Sequence, residues 1–98
     1  MSLCGGYSDP RVIDDRVKNW ISHFEPQILE QASNSGLKNP KGPVKADSYS
    51  TQVVAGLNYK VLCTVGTDEG DRKIEVVLYA HWSIGAEGTP ELTSVSVA

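Results

Sequence analysis

Two cysteines and two histidines, Cys4, Cys63, His23 and His81, are the residues best suited to covalent chemistry in this chain. A thiol becomes a nucleophile when a neighbouring base or cation holds it as the thiolate. Cys63 has no such setting. It falls between Val61 and Val65 in a run whose alternate residues are apolar, and a cysteine on the inward face of a strand is an inert packing group. Cys4 lies in a small, glycine-paired N-terminal stretch, where its use would be pairing between chains on oxidation. No third residue is spaced to orient either histidine, and no group of Cys, His, Asp or Glu has metal-ligand spacing. The pattern speaks against an enzyme and implies neither metal nor organic cofactor.

A recognition chemistry is better signalled. In STQVVAGLNYKVLCTVG, residues 50–66, polar and apolar side chains alternate on both sides of Ala55-Gly56. That is the pattern of a β-hairpin, yet its tip, Val53-Val54-Ala55-Gly56-Leu57, is oily and uncharged. Exposed turns ordinarily carry Asn, Asp, Gly or Pro, which satisfy or relax the turn backbone. An apolar turn is either packed inside its own protein or built to be buried in another.

Such a tip needs a stiff sheet behind it. Leu57, Tyr59, Val61, Cys63 and Val65 share one face of a strand over 57–66, with Asn58, Lys60, Leu62 and Thr64 on the other, the period of two expected of a half-buried strand. Its partner spans 44–53, and GTDEGD forms the following turn. Residues 73–81 alternate again, with Ile74, Val76, Leu78 and Ala80 on one side; SIGAEGTP is a loop and ELTSVSVA a short last strand. Upstream, Ser8 or Asp9 serves as a helix N-cap with Pro10 in the first helical position. From there Ile13, Val17, Trp20, Ile21, Phe24 and Ile28 draw one apolar stripe, opposed by Asp14, Asp15, Lys18, Asn19 and Ser22, to about Ala32. Pro26 removes a donor and crowds the preceding turn, which predicts a kink there rather than an end near Phe24. SNSGLKNPKGP is a loop, and residues 1–8 form an arm with little structure of its own. The expectation is a single α+β domain over 1–98, with one helix laid across an antiparallel meander so that the two apolar faces bury each other.

Bulk properties narrow the partners. The 98 residues suffice for one core. A net charge of −3 with nine scattered Lys and Arg offers no basic stripe for a phosphate backbone and no attraction to an anionic membrane. No apolar stretch approaches the roughly 18 residues of a membrane span, and the first residues lack the basic and apolar regions of a secretory signal. Two cysteines make no disulfide framework, so the expectation is a cytoplasmic protein with reduced thiols.

TQVVAGLNY, with Gln52-Val53-Val54-Ala55-Gly56 at the hairpin tip, resembles the signature of the cystatins. CGGYS resembles the glycine-containing arm of the stefins, the disulfide-free type 1 branch, and EPQILEQ resembles the end of the stefin helix, proline included. The likeness runs in order through nearly the whole chain. It implies a cystatin fold, one N-terminal α-helix across a four- to five-stranded antiparallel β-sheet. It also implies a reversible, non-covalent inhibitor of papain-like cysteine proteases of the cathepsin B, L or H kind. In that likeness Leu3, Cys4 and Gly5 occupy the non-primed subsites and Gln52, Val53, Val54, Ala55 and Gly56 enter the middle of the cleft. His81 and Trp82 form the third contact, with His81 standing where cystatins have proline. The stretch through SIGAEGTP is long for a stefin, and SVSVA lacks the family's polar and aromatic tail. Those departures keep a second reading open: a non-inhibitory or engineered binding scaffold on the same fold. A monomer is expected, with a domain-swapped dimer as the route to association.

The residue types suit the task. A protease cleft takes an extended backbone, and a tip that must lose its water should carry no charge. Residues 52–57 carry none, and neither do residues 82–86. Ala55 and Gly56 permit close approach, Gly5 and Gly6 a sharp exit of the arm, and Trp82 has the profile of an interface anchor.

Overall fold

The computed structural model describes residues 6–81 and 89–98. The alternating runs form a five-stranded antiparallel sheet in chain order: β1 (Arg11–Val12), β2 (Lys41–Val54), β3 (Gly56–Thr67), β4 (Gly70–Ala80) and β5 (Glu91–Val97). Two consecutive helices, α1 (Asp15–His23) and α2 (Glu25–Asn34), cover one face. The strand phase follows the sequence. Tyr59, Val61, Cys63 and Val65 on β3, and Ile74, Val76 and Leu78 on β4, are buried beneath Val17, Ile21, Ile28 and Ala32 of the helices. Each fully buried aliphatic side chain contributes about 1.5–3 kcal/mol. Ile13, Trp20 and Phe24 complete the stripe as half-buried residues at its rim.

Three features differ from the sequence expectation. The helix does not begin at Pro10. Arg11 and Val12 pair with Tyr49 and Ser48 as a short edge strand, and Asp14 is the N-cap, its Oδ1 accepting the Val17 N–H at 2.9 Å. Of the groups able to cap a helix, Ser8 is taken up by Thr51 on β2, whereas Asp14 caps α1 and its Oδ2 also accepts the Tyr49 hydroxyl at 3.3 Å. The helix is also interrupted, not merely kinked. Phe24 leaves helical geometry with φ −93° and ψ 5°, and α2 restarts with Pro26 in its first turn. A proline there lacks only a donor that the first turn would leave unpaired, and the break spares it a clash with the Ser22 carbonyl. The strands β2, β3 and β4 are each longer than the alternation indicated.

The α2–β2 junction is held by Glu25, whose Oε1 accepts the Val44 N–H at 2.6 Å. Farther along β2, at the second of its two shifts of register, Asp47 collects Thr64 Oγ1 at 2.6 Å and Lys73 Nζ at 3.1 Å. Partial burial pushes the Asp47 carboxyl up, but the bonds from Thr64 and Lys73 and the charges of Lys73 and Lys45 outweigh it and hold the group below its usual value.

Candidate functional site

The β2–β3 hairpin closes as tightly as a strand pair can. Val54 faces Gly56, leaving Ala55 alone at the apex. Val53 is 55% exposed and Val54 36%, Ala55 is exposed, and Gly56 is buried. The apolar turn therefore splits in two, a pair of valines facing solvent and a glycine facing inward. Gly56 has φ +141°, and a Cβ there would press on the Ala80 carbonyl oxygen and stand 3.0 Å from His81 Cα and from the Tyr79 hydroxyl. Only glycine satisfies both the backbone angle and the space.

A row of polar side chains backs the turn on the face away from the helices. Gln52, Asn58 and Tyr79 stand opposite one another across β2, β3 and β4. The Asn58 amide donates to Gln52 Oε1 at 2.9 Å, and the Tyr79 hydroxyl donates to the Ala55 carbonyl. The end of β4 runs alongside, with Ala80 opposite Leu57. His81 follows it, exposed, its ring 6.3 Å from that of Tyr79.

On the other flank lies the root of the N-terminal segment. Residues 6–8 have no regular secondary structure, yet they are tied to the sheet. The Ser8 N–H donates to the Thr51 carbonyl at 2.8 Å and the Thr51 N–H returns a bond to Ser8 Oγ at 3.1 Å. The Tyr7 ring lies 4.3 Å from the Lys60 ammonium, a favourable contact of cation and ring face. Burial, with the Glu75 charge, raises the Tyr7 phenol above its ordinary value, keeping it neutral.

One end of the sheet thus presents, in order, the segment leading back from Ser8, the tip at 52–56, and the start of the stretch after Ala80. Gln52, Val53, Val54, Ala55, Gly56 and His81 are brought together there. Leu3, Cys4, Gly5 and Trp82 lie outside the described residues. Sequence reasoning missed Tyr7, Ser8, Asn58 and Tyr79. A signal existed for the last of these, because a turn with no polar side chain of its own implies a donor from elsewhere.

The thiol chemistry of Cys63 is closed off. Cys63 is fully buried between strands, and burial, reinforced by the Asp47 charge and opposed by Lys73, pushes its thiol up to about 12. His23 and His81 are both exposed, away from that interior. Among the described residues no group of three or more His, Cys, Asp or Glu side chains is arranged to hold a metal. No helix among them is long and apolar enough to cross a membrane.

No family model matches the chain. Among curated proteins, Cystatin-B of Oplegnathus fasciatus is 30% identical over 67 residues, 68% of this chain and 62% of that relative. Among solved structures, the secreted type 1 cystatin from Fasciola hepatica matches with a TM-score of 0.65 at 25% identity, over 96% of each chain. The chain has the cystatin fold and is similar in sequence to a cystatin-B, of which it spans less than two thirds. The sheet of the chain has five strands, at the upper end of the four to five expected, and its helix is in two pieces. The structural likeness is to a type 1 member and extends over nearly the full chain.

Proposed function

We propose that this chain is a cystatin, a reversible, non-covalent inhibitor of papain-like cysteine proteases. The observation that carries the reading is the exposed, uncharged Val53-Val54 pair, flanked at one sheet end by the arm root and by His81. A cleft whose thiolate is paired with an imidazolium binds substrate as extended chain. A hairpin apex inserted there fills the groove while its backbone turns away, so no peptide bond is offered in attacking geometry. The valines give up only apolar hydration, whereas a charge in their place would have to be stripped of water. Because Gly56 and Tyr79 fix the turn against β4, little conformational freedom remains to be lost on docking.

In this reading Leu3 fills an apolar subsite, and Cys4 and Gly5 carry the arm past the catalytic centre. His81 and Trp82 form the third contact on the far side of the tip. The hairpins supply the preorganised contact and the arm slows release. No cofactor and no catalytic residue is involved, and the partners are proteases of the cathepsin B, L or H kind. The cytoplasm, where Cys4 and Cys63 stay reduced, is the proposed place of action; the solved relative is described as secreted, which makes proteases outside the cell the competing set.

Titration of active papain with the purified chain tests the reading. Loss of activity at a one-to-one ratio, recovered on dilution, is the expected result. Full activity at micromolar chain would leave the fold as a non-inhibitory scaffold.

A further inference from the structure

The apex of the first hairpin has a deficit that its own sequence does not meet. Val53, Val54, Ala55 and Leu57 carry no polar side-chain atom, so nothing in the turn can donate to the Ala55 carbonyl. In most exposed turns an Asn, Asp, Ser or Thr side chain bonds to the turn backbone locally. Here the donor arrives from another strand. Tyr79 stands on β4 opposite Asn58, half-buried on the face away from the helices, and its hydroxyl donates to the Ala55 carbonyl. The same oxygen is 3.0 Å from where a Cβ on Gly56 would be, so the phenol bears on both residues that shape the turn.

We infer that Tyr79 is a positioning residue for the first tip: its hydroxyl holds the Ala55 carbonyl and so presets the apolar turn in the shape it presents to a protease. The inference rests on the inhibitor reading. It needs no contact between Tyr79 and the protease. Without the hydroxyl, the Ala55 peptide turns toward water and the docking-competent shape becomes a fraction of the population, which lowers apparent affinity by that fraction. One hydrogen bond of ordinary net strength corresponds to a change of about two- to tenfold.

The test is Tyr79→Phe, which keeps the ring and removes only the hydroxyl. Two readouts are needed. Amide hydrogen exchange in the free chain should quicken by a few-fold at Ala55, Gly56 and Leu57 while the amides of Val61 and Val65 keep their rates, which also verifies folding. Papain inhibition should weaken by about two- to tenfold, with the loss in the association rate. Unchanged exchange at the tip overturns the inference, even if inhibition weakens, because Tyr79 would then act by touching the protease. Faster exchange with an unchanged inhibition constant overturns it too, since the shape would not matter for docking. A wild-type chain that fails to inhibit sinks the inhibitor reading and the docking role together; a normal wild type with an unaffected variant sinks only the role of Tyr79.

Discussion

The two turns at opposite ends of β3 solve the same backbone problem by opposite means. At the Thr67–Gly70 turn the chain provides for itself. Thr67 Oγ1 donates to the Gly70 carbonyl at 2.7 Å and accepts the Glu69 N–H at 3.0 Å. Asp68 meets Asn39 at 3.4 Å and Lys41 at 3.5 Å, and Arg72 reaches Glu69 at 3.9 Å. Gly70 adopts φ +96°, with nothing within 4 Å of where a Cβ would stand. At the Val54–Gly56 turn the side chains offer no polar atom, the carbonyl is served by Tyr79 from β4, and the glycine is jammed against Ala80 and His81. A turn that remains in water can carry its own polar groups. A turn meant to enter another protein must keep its outward face apolar, so its support comes from behind. In the first arrangement the turn's own Thr67 serves its backbone and the glycine has room; the second depends for both on a neighbouring strand and is brittle.

The contrast predicts a graded set of effects. Gly56→Ala should be the most damaging, because it combines positive φ with contact on backbone atoms that cannot move aside. About 2–4 kcal/mol of stability should be lost, read by thermal unfolding, and papain inhibition should fall with it. Val53→Asp should separate function from folding. Its side chain already faces water, so the melting temperature should stay within a few degrees. Burying the new charge in a cleft should raise the inhibition constant by about 30-fold or more, equivalent to about 2 kcal/mol. Gly70→Ala tests the tolerant turn. It meets strain without a clash, should cost about 1 kcal/mol, and should leave inhibition of papain unchanged.

The smallest effect belongs to the polar half of the sheet. Asp47→Asn removes a charge whose folded-state pKa lies below the unfolded one, so the charge stabilises above the unfolded pKa and stops doing so as pH falls through the folded value. The variant should therefore be less stable than wild type near neutral pH by about 0.5–1 kcal/mol. In denaturant titrations at successively lower pH, that difference should disappear below the ordinary Asp range. A gap that stayed constant with pH would reject the charge as its cause.

The contrast also explains which parts were legible in the residues alone. The phase of β3 and β4 was readable because every second side chain, from Leu57 to Val65 and from Ile74 to Ala80, reports the same inward face. The place of the uncharged tip was readable for the same reason. The helix start was not, because Ser8, Asp9 and Asp14 are all competent caps and contacts with β2, Ser8 to Thr51 and Asp14 to Tyr49, 43 and 35 residues away, decide among them. β1 was invisible, since two residues cannot display a period. Tyr79 and Ser8 escaped notice because their partners, Ala55 and Thr51, are 24 and 43 residues distant. Local pattern reports which face is buried, whereas cross-strand support needs the register.

The paired bonds between Ser8 and Thr51 set a length scale. Thr51 lies one residue before Gln52, so in the inhibitor reading the arm is a second ligand attached at the rim of the first one's site. From the Ser8 anchor an extended chain advances at most about 3.6 Å per residue. In that reading an arm tethered there is kept close once the tip is seated, and its effective concentration at the neighbouring subsites is on the order of millimolar. An arm whose own affinity is too weak to detect in solution would still prolong the complex. Inserting a flexible spacer between Ser8 and Asp9 would leave the anchor on Thr51 intact, whereas one inserted before Tyr7 would dilute the arm directly, so the position of the insertion, more than its size, governs how fast the protease escapes.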